Sequence, residues 1–205
     1  MHVGIPDWWG DGLEHLGQDP IMGKLIEQYG SDGLKGKGNL FETLIRSIVG
    51  QQISAIAADA IWKRLCDLVV IMKYTSFENI IDQQMRDVGL SFRKIEYIRG
   101  IIDSWPYLSS IKWSELDDSM IRKELILLRG IGPWTVDMIL IFNLLRPDVL
   151  PLGDVGIVRM IEKLYANGRQ MNDAELLQVS EKWSPYRTVA SWYLWRGLDP
   201  EPVEY

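Results

Sequence analysis

The chain has 205 residues, 47% hydrophobic and 24% charged, with a formal net charge of −6. That length holds one large domain or two small lobes, and the composition is ordinary for a folded protein. A single cysteine, Cys66, excludes a disulfide framework, a cysteine-based zinc finger and a four-cysteine iron–sulfur cluster. Two histidines, His2 and His15, both near the start, argue against a histidine metal site or a Ser-His-Asp triad. An enzyme made from this chain works with carboxylates, hydroxyls, Lys/Arg or backbone groups. No run of about 18 apolar residues is present, so no membrane span is expected. The opening "MHVGIPDWWGDG" lacks the basic start and apolar run of a signal peptide. The expected location is intracellular: cytoplasm or nucleoid in a prokaryote, nucleus in a eukaryote. The acidic balance argues mildly against a generic nucleic-acid binder, but not against one that holds phosphate with backbone N–H groups and a few Lys/Arg.

In chain order the pattern predicts helices throughout, an all-α fold. Gly30–Asn39 is the best loop and a candidate boundary. Asn39, with Glu42 at the capping-box position, opens a helix whose Leu40, Leu44, Ile45, Ile48 and Val49 keep helical spacing. "QQIS" breaks that pattern, and Ser54 caps the next helix. Ser91 caps "FRKIEYIRGIIDSW". A helix over about Ser119–Leu128 ends at Arg129–Gly130, and Pro133 starts another that runs to about Leu145. Asp154 is placed to cap Val155–Tyr165, and Asn172 with Glu175 forms a capping box before "LLQVSEKW". Ser184–Pro185 starts the last helix and Gly197 ends it. The tail "LDPEPVEY" is expected to be extended. No useful period-2 alternation predicts a sheet, and there are no repeats.

Arg129-Gly130-Ile131-Gly132 joins two of these helices. Two glycines permit positive φ and close backbone approach, Ile131 can plug the space between the helices, and the second helix starts with outward N–H groups. Such a hairpin grips one DNA phosphate without reading sequence; the competing reading is a plain αα-hairpin with a glycine cap. Asp154 lies 22 residues beyond Gly132. On residue type alone it reads first as a helix N-cap.

"FETLIRSIVGQQIS", "LLRGIGPWTVDMIL" and "LPLGDVGIVR" together resemble the helix-hairpin-helix DNA glycosylase superfamily, and within it the 3-methyladenine DNA glycosylase II branch. The resemblance runs from roughly residue 20 to 197, with three motifs in order and register. It implies two helical lobes with the active-site cleft between them. A central lobe over about 39–120 would carry a wedge loop. Residues 1–38 plus 121–205 would form the lobe that carries the hairpin, the catalytic aspartate and the C-terminal helices. It makes Asp154 catalytic, a role compatible with capping, since a helix start favours an ionised carboxylate. Base excision builds positive charge on the sugar, which a fixed anion stabilises while it orients or activates water. Gly153 and Gly156 would leave room for a nucleotide.

A lyase relative carries a lysine two residues after the second hairpin glycine, where this chain has Trp134. The C-terminal cysteine cluster of the endonuclease III and adenine-mismatch branches is also missing from this sequence. Both departures imply a monofunctional enzyme without an iron–sulfur cluster. By resemblance Trp134 and Trp195 line the base pocket, with Trp192 an alternative and Met138 at a position where relatives carry aromatics. Electron-rich rings attract the cationic base of an alkylated purine. A flipped base leaves a gap to fill. Gln52 is the chosen wedge, with Gln51 and Ile53 as neighbours, although wedges in relatives can be apolar; the competing reading of "GQQIS" is a plain interhelix turn. Arg93, Lys94 and Arg129 are candidate phosphate contacts beside Gly130, Ile131 and Gly132. The hairpin carbonyls of Ile126, Leu128 and Ile131 would hold a sodium or potassium ion, and no other cofactor is required. Larger members carry an extra N-terminal sheet domain for which this chain is too short.

The expected activity is hydrolysis of the N-glycosidic bond of 3-methyladenine-type purines, hypoxanthine or ethenoadenine in duplex DNA, by a monomer. Two other readings stay open: a glycosylase for a mismatched or oxidised base, and a catalytically silent helix-hairpin-helix DNA-binding protein.

Overall fold

The computed structural model describes residues 4–36 and 38–199. Most of the tail expected to be extended, residues 200–205, lies outside the described residues. The elements in order are α1 (Trp9–Leu16), α2 (Pro20–Tyr29), α3 (Leu40–Gly50), α4 (Ala55–Val69), α5 (Asp82–Asp87), α6 (Phe92–Leu108), α7 (Asp118–Ile126), α8 (Pro133–Phe142), α9 (Val155–Tyr165), α10 (Asp173–Glu181) and α11 (Arg187–Leu198). Short 3-10 turns at Tyr74–Phe77 and Trp113–Glu115 complete it, and no strand occurs among the described residues. None of these helices is long and apolar enough to cross a membrane.

The chain divides into two compact units, residues 39–136 and residues 1–38 with 137–205. The sequence-based boundary near residue 120 is therefore displaced: α7 and the Arg129–Gly132 turn fall in the 39–136 unit. The cause is packing that spacing alone does not show. Ile121 and Leu125 of α7 are fully buried, and the backbone of Gly130 lies against Tyr97 and Ile48.

In the 39–136 unit, α3 packs against α4 and α6, and α5 against α6. The apolar stripe of α3 (Leu40, Leu44, Ile45, Ile48, Val49) is buried, as are Ile95, Ile98 and Ile101 of α6. Four side chains cap helix starts here: Asn39 accepts from Glu42 N–H, Ser54 from Ala57 N–H, Ser91 from Lys94 N–H and Asp117 from Met120 N–H.

In the other unit, α11 packs against α9, α2 and α1, and α10 against α9. Thr188 through Trp195 are all buried, so α11 is enclosed on every side and shows no amphipathic stripe. Its hydroxyls satisfy the incoming chain: Thr188 Oγ1 donates to Arg146 O at 2.6 Å, and Ser191 Oγ to Val149 O at 3.0 Å. Asp19 caps α2 and anchors a buried cluster, accepting from Ile21 N–H at 3.0 Å, Tyr165 Oη at 2.6 Å and Trp183 Nε1 at 3.1 Å, with Lys182 Nζ 3.0 Å away.

Candidate nucleic-acid and base-excision site

The two glycines of the hairpin answer to different demands. Gly130 has φ 91°, and a Cβ there would sit 2.3 Å from Tyr97 Cδ2 and 2.9 Å from Ile48 Cδ1. The fold itself requires glycine at 130. Around Gly132 an added Cβ would meet nothing within 4 Å. Between them Ile131 is 4% exposed, the buried plug that the sequence implies. The first intrahelical bond of α8 runs from Val136 N–H to Gly132 O at 3.1 Å. The N–H groups of Gly132 and Thr135 therefore lie ahead of the helical ladder. The turn and Thr135 border a hollow of about 480 Å³ walled also by Gln51, Gln52, Ser91, Arg93, Lys94 and Tyr97. Helix-start N–H groups beside a guanidinium suit an anion.

The three basic candidates separate. Arg93 lines that hollow, donating to the Tyr97 hydroxyl with its guanidinium 5.5 Å from the Tyr97 ring centroid. Lys94 also lines it, but its Nζ donates to Val49 O at 2.8 Å, closing the last turn of α3, and burial lowers its pKa. Arg129 does not line it. That side chain pairs with Glu96 and borders a second hollow with Leu127 and Asp103.

The α3–α4 turn distinguishes its residues as well. Gln51 Nε2 donates to Gly130 O at 2.7 Å, so this side chain is engaged within the protein. Gln52 is exposed and has φ 58°, uncommon for a non-glycine residue, and Ile53 is 37% exposed.

In the other unit Asp154 is the N-cap of α9, Oδ1 accepting from Ile157 N–H at 3.0 Å. Oδ2 accepts from Trp195 Nε1 at 3.4 Å. The Trp195 ring stacks on Phe142, centroids 5.8 Å apart and planes 25° apart. An aromatic face and a carboxylate are thus held side by side. The chain reaches Asp154 along a segment suspended from α11 by Thr188 and Ser191, and Asp154 N–H itself closes onto Pro151 O at 2.9 Å. Thr188, Ser191 and Phe142 carry no signal in the sequence, since hydroxyls and a phenylalanine in apolar helices read as packing.

Trp192 Nε1 donates to Asp32 O at 3.2 Å and its ring meets Trp9 edge-on, whereas Trp195 Nε1 reaches Asp154. The space that Gly156 frees is filled by this chain itself: a Cβ would lie 2.8 Å from Leu198 Cδ1 and 3.1 Å from Asp154 Oδ1. Met138 is 1% exposed, whereas Trp134, at the second position of α8, is 37% exposed.

Residues 45–185 match the family model described as HhH-GPD superfamily base excision DNA repair protein. DNA-3-methyladenine glycosylase 1 of Schizosaccharomyces pombe is 33% identical over 180 residues, covering 84% of this chain and 78% of the relative. Among solved structures, DNA-3-methyladenine glycosidase from Bacillus halodurans aligns with TM-score 0.83 and 35% identity over 92% of this chain and 89% of the other. The S. pombe 3-methyladenine DNA glycosylase in complex with abasic DNA aligns with TM-score 0.76 and 29% identity, covering 91% and 95%. A helical fold, a two-glycine hairpin and a capped aspartate beside an indole are accordingly features of a base excision repair protein. The chain belongs to the HhH-GPD superfamily.

Proposed function

We propose that the chain is a monofunctional DNA glycosylase that excises alkylated purines from duplex DNA. The observation that carries this reading is the double fixation of Asp154 by Ile157 N–H and Trp195 Nε1. A carboxylate held at both oxygens, at a helix start, keeps its orientation while charge develops nearby. A purine alkylated at N3 or N7 is a cation and leaves as a neutral base when the C1′–N bond breaks and the bonding pair goes to the base. Positive charge then grows on the sugar, where Asp154 stabilises it. Water forms the new C1′–O bond and gives its proton to Asp154 or to solvent. The Trp195 face attracts the cationic base, and Trp134 offers a partly exposed ring of the same kind.

In this reading the Gly130–Gly132 turn and Arg93 hold a backbone phosphate, and Gln52 fills the gap left by the flipped base. The carbonyls of Ile126, Leu128 and Ile131 are the candidate holders of a monovalent cation, and that of Ile126, at the end of α7, lacks an intrahelical partner. That of Leu128 accepts Ile131 N–H at 3.0 Å and keeps one lone pair. Trp134 at the lyase-lysine position supports hydrolysis without a Schiff base. The enzyme acts inside the cell as a monomer.

The test is a gel assay on a duplex with one hypoxanthine or one alkylated adenine. Wild type should leave abasic sites, and borohydride should trap no covalent complex. Binding of the duplex without any base release would sink the enzyme reading in favour of a silent DNA-binding protein.

A further inference from the structure

Gln51 and Gln52 are consecutive and alike, yet the fold treats them oppositely. Gln51 closes α3 as its C-cap, with φ −60° and ψ 131°, and its side chain reaches back to the hairpin carbonyl of Gly130. Gln52 sits in the left-handed region with its side chain exposed. A glutamine stays there only if its surroundings hold it. Two bonds bracket the turn: Gln51 Nε2 to Gly130 O at 2.7 Å, and Lys94 Nζ to Val49 O at 2.8 Å. The acceptor of the first bond is itself fixed, since Gly130 is pressed against Tyr97 and Ile48.

We infer that Gln51 is a positioning residue which ties the α3–α4 turn to the phosphate-gripping turn and thereby sets Gln52 for insertion into the duplex. The inference rests on the glycosylase reading above. A wedge works only at one distance from the phosphate that the same protein holds, and the Gln51–Gly130 bond sets that distance. Without it Gln52 relaxes toward commoner backbone conformations, and the insertion-competent state becomes a fraction of the whole.

A double-mutant cycle on the full chain tests this, with wild type, Gln51→Ala, Gln52→Ala and the double variant. Flipping is followed by 2-aminopurine fluorescence beside a hypoxanthine, excision by single-turnover kinetics. Gln51→Ala should slow both about 3- to 10-fold, the effect of losing one hydrogen bond. A loss of affinity for undamaged duplex as large as the loss of flipping would place Gln51 in phosphate binding instead and overturn the inference. In the Gln52→Ala background Gln51→Ala should add nothing, because its action passes through Gln52. Gln51→Glu, which sets a carboxylate against the Gly130 carbonyl, should reproduce the effect and serves if the alanine variant is unstable. Losses that multiply in the double variant, or unchanged flipping in both Gln51 variants, overturn the inference. Flipping is read separately from excision, so an inactive wild type sinks the glycosylase reading while the cycle on flipping still decides the role of Gln51.

Discussion

Trp195 Nε1 lies 3.4 Å from the Asp154 oxygen that does not cap α9, so one carboxylate serves a helix start with one atom and an indole with the other. Capping and chemistry can therefore be separated by substitution. Asp154→Asn keeps an oxygen for Ile157 N–H, and asparagine is a good N-cap. The thermal midpoint of this variant should stay within a few degrees of wild type, while single-turnover excision falls about 100-fold or more. Full activity in Asp154→Asn would remove Asp154 from the mechanism.

Trp195→Phe retains a ring against Phe142 but loses the N–H. Excision should drop about 10-fold, the effect of releasing one hydrogen bond to a charged group. Duplex affinity should barely change. Comparing excision rate with filter binding on one lesion duplex measures both.

Trp134→Ala should discriminate between substrates by charge. A cation–π contact contributes about 0.5–2 kcal/mol, so loss of 7-methylguanine excision should exceed loss of hypoxanthine excision by about 2- to 30-fold. Equal losses for the cationic and the neutral base would leave Trp134 with a packing role only.

Gly130→Ala and Gly132→Ala should part company. The first forces a Cβ into Tyr97 at an unfavourable φ and should cost about 3 kcal/mol, visible in urea unfolding without DNA. The second meets open space and should unfold like wild type, yet bind duplex about tenfold more weakly.

Asp19 gives a pH dependence of stability. Burial works to raise its carboxyl pKa, but the hydrogen bonds from Tyr165, Ile21 N–H, Trp183 and Lys182 outweigh burial and hold it below the ordinary value. A folded-state pKa below the unfolded one stabilises the protein above about pH 4, and this contribution is lost as pH falls through the folded value. Asp19→Asn should remove about 1–3 kcal/mol at pH 7 and flatten the acid limb of a stability-against-pH curve. A parallel acid limb in the variant would show that other carboxylates dominate it.

What the sequence discloses of this fold follows the range of the interactions. Caps act over three residues, so Asn39, Ser54, Ser91, Asp154 and Asn172 mark helix starts that the structure contains. Helix ends are less legible. α8 stops at Phe142 rather than near Leu145, where the backbone turns to φ 50° and Arg146 N–H bonds back to Leu140 O. α7 begins at Asp118 rather than near Ser119 because Asp117 caps it, and Ser119 donates to that same carboxylate. The last helix starts at Arg187, past Pro185. α1 has no side-chain cap and passes unnoticed, although Asp19–Pro20 at the head of α2 is a readable start. Long-range contacts decide the rest. Gln51 meets Gly130 across 79 positions, and Trp195 meets Asp154 across 41. Trp192 and Trp195, three residues apart on one helix, cannot be ranked by spacing; only the partners Asp32 and Asp154 separate them.

Helix α11 carries Trp195 and also holds, through Thr188 and Ser191, the segment that delivers Asp154. Carboxylate and indole therefore share one frame of reference. When α11 shifts, on warming or as a nucleotide presses in, both groups are carried by the same movement and their separation changes less than either position. Thermal motion in this unit becomes common-mode noise: it displaces the pair against a substrate without dismantling the pair itself.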